Sequence, residues 1–87
     1  MEQTRISRVV LDVLKPHEPP LTEFAAYLGE LDGIKRIEVT VLERDEKTES
    51  LEVIVNGDLD YEVLRAHMAV KGAAIHSVDA VIVESTP

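Results

Sequence analysis

Residues Arg5 to Pro20 read RISRVVLDVLKPHEPP, and this stretch decides how the rest of the chain is interpreted. From Val9 to Leu14 the residues are β-formers in an almost continuous apolar run, which Asp12 interrupts. Such a run is typical of a central strand that is covered on both faces. The prolines that follow stop the strand abruptly. The stretch therefore predicts a buried first strand that ends in a rigid loop, KPHEPP.

Composition limits the class of protein. The chain has 87 residues, 45% of them hydrophobic and 30% charged, which predicts one globular domain over residues 1–87. Cysteine is absent, so disulfides and thiolate metal sites are excluded. Small domains without such cross-links are commonly stabilised by oligomerisation or by a metal. We therefore expect self-association first and an oxygen-ligated cation second.

Charge and hydropathy limit the partners. The net charge of −8 disfavours binding to phosphate backbones, and three aromatic residues are too few for a base-stacking platform. No apolar stretch approaches the length of a membrane span, and none precedes the first strand as a signal peptide would. The sequence predicts a cytoplasmic protein that binds neither nucleic acid nor membranes.

The remaining elements follow from periodicity and breakers. Apolar residues at helical spacing after Thr22, a predicted N-cap, indicate a helix that ends at Gly33. Alternation from Ile34 to Arg44 and again around Val53 predicts an antiparallel hairpin, with Asn56-Gly57-Asp58 breaking its second strand. Asp60 is expected to cap a second helix, and a final strand is expected over residues 73–84.

The order βαββαβ consists of two similar halves, each with a strand, a loop, a helix, a glycine and a second strand. Right-handed crossovers applied twice predict a ferredoxin-like α+β sandwich, with a four-stranded antiparallel sheet of order 4-1-3-2 and both helices on one face. On the first strand, Val9, Leu11 and Val13 would then face the helices. The residues predicted on the opposite, open face are Ile6, Arg8, Val10, Asp12 and Leu14.

Three segments carry a resemblance: LDVLKPHEP, the hairpin around ERDEKTESLEVIVNGDLDYE, and KGAAIHSVDAV. They resemble the archaeal family known as domain of unknown function 211, and the resemblance covers nearly the whole chain. It implies a ferredoxin-like fold and assembly into rings of identical subunits. No activity is established for that family, so the resemblance implies no catalytic residues.

Asp12 is the most conspicuous candidate for a binding residue because it is a carboxylate within a central strand. It would act as a ligand or cation anchor, together with His76 or Asp79 from the neighbouring fourth strand. The alternative is a wet or paired carboxylate, bonded to Arg8 or to a neighbouring subunit.

The loop KPHEPP is the second candidate. Prolines fix its shape, so Lys15, His17 and Glu18 could form a binding site; equally, the loop could simply aim the first helix.

Two other patterns are weaker. His76, Ser77 and Asp79 suggest a catalytic set only superficially, since successive strand residues alternate faces and His76 and Ser77 would point apart. An oxygen-rich group could bind Ca²⁺ or Mg²⁺, although its spacing matches no EF-hand. Its members are Asp58, Asp60 and Glu62.

The sequence thus predicts a small homo-oligomeric module that binds a small molecule or ion, or regulates, without catalytic activity of its own. The first alternative is an enzyme that uses Asp12, His17 or His76 at a subunit interface. The second is a purely structural assembly protein.

Overall fold

A computed structural model describes residues 3–86 and confirms the predicted element order. The elements are β1 (Gln3–Pro16), α1 (Leu21–Gly29), β2 (Ile34–Arg44), β3 (Thr48–Leu59), α2 (Tyr61–Val70) and β4 (Ala74–Thr86).

The four strands form one antiparallel sheet of order β2-β3-β1-β4, which is 4-1-3-2 when read from the β4 edge. The first strand is therefore central, between β3 and β4. Phe24 and Leu28 of α1 and Leu64 and Met68 of α2 share one core with the sheet, so both helices lie on the same face. The topology is that of a ferredoxin-like sandwich.

The first strand is covered on one face only. Alternate residues are buried on both inner strands, and these residues are Val9, Leu11, Val13, Leu51, Val53 and Val55. Between them, Val10 and Asp12 are half-buried and Leu14 is 44% exposed. The prediction of a strand covered on both faces was wrong for the described chain, because both crossover helices pack on the same side of the sheet.

Ile6 was predicted on the open face, but it packs against the helix-covered core. A β-bulge between Ile6 and Arg8 shifts the register against both neighbouring strands. An extra residue in a strand reverses which side chains face the core. From Arg8 to Leu14 the predicted alternation holds.

The N-terminal cap was predicted correctly for α2 but not for α1. Asp60 caps α2, since its carboxylate accepts a hydrogen bond of 3.2 Å from the Val63 backbone N–H. Thr22 was predicted to cap α1, but Pro20 occupies the N-cap position and no side chain caps that helix. The proline already fixes the backbone for entry into the helix, so the helix begins one residue before Thr22.

The expected break at Asn56-Gly57-Asp58 is absent, because β3 continues to Leu59. Gly57 pairs with Ile34, and a β-bulge lies beside this pair. A Cβ at Gly57 would collide with the Gly33 carbonyl oxygen. That oxygen accepts a 2.9 Å hydrogen bond from the Asp58 N–H. The glycine therefore permits close approach of two backbones within the sheet instead of ending it.

Candidate functional site

A shallow depression of about 250 Å³ lies on the uncovered face of the sheet. It is lined by Asp12 and Leu14 of β1, Ser50 of β3 and His76 of β4. Leu14 and Ser50 are direct cross-strand partners, so the register between β1 and β3 fixes one wall. The sheet thus brings together two of the predicted site residues, Asp12 and His76, beside a hydroxyl and an apolar side chain.

An irregularity in β4 places His76 at the depression. Asp12 pairs with Ser77 and Val13 pairs with Ile75, so His76 is the extra residue between two successive pairs. The prediction that His76 and Ser77 point to opposite faces was therefore wrong. Ser77 shares the face of its partner Asp12, and His76 lines the depression on that same face.

Asp79 does not line the depression. Its carboxylate accepts a 2.8 Å hydrogen bond from the Ser77 hydroxyl, and both groups are on the surface of β4. The Ser77 proton is therefore directed at a carboxylate and not at an imidazole. This geometry differs from that of a serine nucleophile, whose proton is directed at a histidine.

Lys15 is one of the three loop residues that could form a binding site, but the structure does not expose it to a ligand. The side chain is fully buried at the end of the core. Its Nζ donates to the Pro16 and His17 carbonyl oxygens, at 2.8 and 3.3 Å, and to Glu49 Oε1 at 3.0 Å. The parity of β1 explains this position, because Lys15 follows Val13 on the helix-covered face.

Glu49 completes this buried ion pair. Its second oxygen, Oε2, accepts a 2.6 Å hydrogen bond from Arg44 Nε. The hydrogen bonds from Arg44 and then from Lys15 hold the pKa of the Glu49 carboxyl below its usual range, against the opposing effect of burial. The two buried charges, Lys15 and Glu49, compensate each other within the chain, so the pair has a structural role.

The KPHEPP loop is attached to the β2–β3 turn. His17 Nε2 lies 2.8 Å from the Asp45 carbonyl oxygen, which accepts its hydrogen bond. Asp45 in turn organises the turn, since backbone N–H groups of Thr48 and Lys47 donate to its carboxylate and lower its pKa. Glu18 is exposed. The loop residues Lys15, His17 and Glu18 therefore do not converge on one site.

The oxygen-rich group does not form a cation site. Asp60 is engaged as a helix cap, and Glu62 accepts hydrogen bonds of 2.8 and 3.0 Å from Arg65, whose pKa is raised by that contact. Within residues 3–86, no three His, Asp or Glu side chains are grouped so that they could hold a metal ion. The hypothesis of a Ca²⁺ or Mg²⁺ site at Asp58, Asp60 and Glu62 loses its geometric basis.

Sequence reasoning missed a contact that joins the two helices. The rings of Tyr27 and His67 stack in parallel, with centroids 3.8 Å apart. The Tyr27 hydroxyl donates to the His67 carbonyl oxygen at 2.7 Å, and His67 Nε2 donates to the Tyr27 carbonyl oxygen at 2.9 Å. Only helical packing brings these residues together, and no sequence signal pairs them.

Three half-buried charged residues on the uncovered face, including the two on β1 that were predicted there, have no partner within residues 3–86. Arg8, Asp12 and Glu52 are half-buried, and none forms an ion pair or a side-chain hydrogen bond within residues 3–86. Asp12 and Glu52 are direct cross-strand partners, so two carboxylates lie side by side. The two residues are distant in the sequence, so their adjacency can be recognised only once the register between β1 and β3 is known.

Comparison with known proteins agrees with the resemblance seen in the sequence. The model of the DUF211 family, described as "Uncharacterized ArCR", matches residues 7–86. A relative from the archaeon Methanocaldococcus jannaschii, named "Uncharacterized protein MJ0319", is 41% identical over 78 residues, which cover 88% of this chain and 80% of that protein. Among the described residues, no helix is long and apolar enough to cross a membrane.

Proposed function

The chain belongs to the uncharacterised DUF211 family, and we propose that it is a homo-oligomeric module that binds a small ligand or regulates, without catalytic activity of its own. The observation that carries the proposal is the depression lined by Asp12, Leu14, Ser50 and His76 on the sheet face that the helices leave uncovered. Its cysteine-free, acidic composition supports a cytoplasmic setting and argues against nucleic-acid partners.

The lining supports a ligand of a particular chemistry. An ionised Asp12 can only accept hydrogen bonds, whereas Ser50 and His76 can both donate and accept. Leu14 adds an apolar surface. A volume of about 250 Å³ is slightly below that of typical ligand sites. These features suit a small molecule that carries an amine or hydroxyl donor beside a short apolar part.

Exposed apolar residues support the assembly part of the proposal. Val78, Val81, Ile82 and Val83 on the edge strand β4 are each about half exposed. An unpaired edge strand with apolar side chains favours association with another chain. Each copy has two sheet edges, β2 and β4. Joining unlike edges of successive copies generates a ring when the rotation closes.

The alternative is an enzyme whose site includes Asp12 and His76, and their shared depression favours it over a purely structural protein. His17 does not support this alternative, because its imidazole is bonded to the Asp45 carbonyl oxygen in the β2–β3 turn and does not line the depression. An enzyme would show turnover that His76→Ala abolishes. A binding module would show stabilisation by a ligand without turnover.

Native mass spectrometry of protein purified without chelator tests the proposal. We expect a multimer that carries an additional small mass, which Asp12→Asn and His76→Ala release. His17→Ala is the matched control, because it removes an imidazole outside the depression, and it should retain the mass. If the wild-type protein retains no ligand through purification, thermal shifts with a series of small amines and polyols replace the mass measurement. A protein that neither retains a ligand nor is stabilised by any of them contradicts the proposal.

A further inference from the structure

Three successive rows of residues run across the strands in the middle of the uncovered face, and the strand register defines each one. The basic row contains Arg36, Asn56, Arg8 and Ile82. The middle row contains Glu38, Ile54, Val10 and Ala80. The acidic row contains Thr40, Glu52, Asp12 and Ser77.

The charges in the outer rows are opposite in sign. The basic row has two arginines and no carboxylate, and the acidic row has two carboxylates and no basic residue. Arg36 contacts Glu38 of the middle row at 3.0 Å, but Arg8, Asp12 and Glu52 have no partner within residues 3–86. Like charges placed directly across a strand pair destabilise a sheet. The pair Asp12 and Glu52 therefore lacks compensation in the isolated chain.

A two-fold axis along the middle row makes the charges of Arg8 and Asp12 complementary between two copies. Rotation about that axis reverses the strand direction and lays the basic row of one copy over the acidic row of the other. Arg8 then faces Asp12 of the partner subunit, and the middle rows meet through Val10 and Ile54. Sheets that pack face to face are about 10 Å apart, a distance that an arginine and an aspartate side chain span together.

We propose that the uncovered faces of two copies pack on each other in this antiparallel sense, with Arg8 of each copy paired to the acidic row of its partner. The inference rests on the assembly part of the proposed function and adds the uncovered face as a second contact surface beside the sheet edges. The partner's Arg8 would also lie at the depression, because Asp12 lines it. A guanidinium from the second copy completes the site, which then presents both an acceptor and a strong donor to a ligand.

A second copy fits this face better than an unrelated protein. A contact between identical surfaces must be complementary under a two-fold rotation, and the opposite charges of Arg8 and Asp12 on either side of the middle row meet that condition. The same rotation pairs Arg8 with Asp12 of the partner subunit and places Glu52 opposite the side-chain amide of the partner's Asn56. Opposite charges that meet across an interface fix its register and orientation.

Charge reversal tests the contact. Arg8→Glu and Asp12→Lys should each weaken self-association by at least about tenfold in Kd, because each brings like charges together twice. An equimolar mixture of the two variants should associate again, since one contact pairs the new acid at position 8 with the new base at position 12. The other contact in the mixed pair is native. Sedimentation equilibrium at low salt measures both effects.

Controls separate the contact from general effects of charge. Glu46→Lys and Lys47→Glu reverse exposed charges in the β2–β3 turn and should leave association unchanged. Circular dichroism melting checks that each variant is folded. Glu52→Lys replaces Asp12→Lys if that variant does not fold, because Glu52 lies in the same acidic row.

The outcomes distinguish the two proposals. A wild-type protein that is monomeric at high micromolar concentration overturns both the assembly proposal and this inference. A wild-type multimer that Arg8→Glu and Asp12→Lys leave intact overturns this inference alone and assigns assembly to the sheet edges. If the two variants associate weakly and mixing them does not restore association, this inference is also overturned, because a self-complementary contact requires that restoration.

Discussion

The covered face and the uncovered face of the sheet each hold a cross-strand pair of charged residues between β1 and β3. On the covered face the pair is Lys15 and Glu49, of opposite sign, 3.0 Å apart and almost without solvent contact. On the uncovered face the pair is Asp12 and Glu52, of the same sign, half-buried and without a partner in the described chain. The two pairs are separated by only three residues along each strand.

The difference shows how completely each face is satisfied within one copy. A buried charge must be compensated, so Lys15 and Glu49 use every nearby acceptor and donor. The uncovered face leaves like charges adjacent, and no partner within the described residues offsets their repulsion. The covered face therefore serves the fold of the single chain, whereas the uncovered face keeps like charges that no partner within residues 3–86 compensates.

The largest expected effect comes from neutralising a carboxylate on the covered face. Glu49→Gln should lower the free energy of unfolding by about 3 kcal/mol, because Lys15 keeps a buried charge that has lost its counterion. Glu52→Gln makes the same chemical change three residues away and should cost less than about 1 kcal/mol. Urea denaturation at several protein concentrations measures both and separates assembly from folding. Equal losses of unfolding free energy for the two variants would contradict the difference between the two faces.

Truncating leucines on β1 sharpens the comparison for apolar residues. Leu11→Ala on the covered face should cost about 2–4 kcal/mol, since Leu11 is fully buried and its loss leaves a cavity. Leu14→Ala on the uncovered face should cost well under half as much, because Leu14 is 44% exposed. Thermal unfolding in dilute solution reports both changes. A loss for Leu14→Ala as large as that for Leu11→Ala would show that this face is buried even at low concentration.

A smaller loss of folding stability is expected as the pH is lowered. The lowered pKa of Glu49 means that its ionised form is stabilised in the folded state. Its contribution is therefore fully present above the ordinary glutamate pKa of about 4.3 and is lost as pH falls through the lowered folded value. Asp45 acts in the same direction.

The variant Lys15→Met/Glu49→Leu replaces the buried pair by apolar residues and provides the control for acid unfolding. Its stability should decline less steeply than that of the wild-type protein as pH falls below about 4.3. Stability curves from pH 3 to 7 make the measurement. Parallel curves for the two proteins would mean that other carboxylates dominate the acid response.

Sequence reasoning predicted the fold well because its signals are local or periodic. The alternation from Ile34 to Arg44 gave β2 with its observed bounds, and Asp60 caps α2 as expected. The errors came from register. The bulge after Ile6 and the extra residue at His76 each changed which face a side chain occupies, and no residue pattern marks either position.

The candidate site was predicted in part. Asp12 was expected beside His76 or Asp79, and the depression contains His76 but not Asp79, whereas Lys15, a candidate in the KPHEPP loop, is buried in the core. Lysine side chains are normally exposed. The burial of Lys15 could therefore be inferred only from the face of β1 that it occupies, together with a counterion on β3. The acidic pair and the basic row depend on pairings between strands that are distant in the sequence.

The stack between Tyr27 and His67 has a consequence for how the molecule opens. Two reciprocal hydrogen bonds and parallel rings bind α1 and α2 to each other at one point, although the helices lie in different halves of the chain. The helices should therefore detach from the sheet together, so that their amide protons exchange with solvent at a common rate. The duplicated halves then behave as one cooperative unit, and neither half persists when the other unfolds.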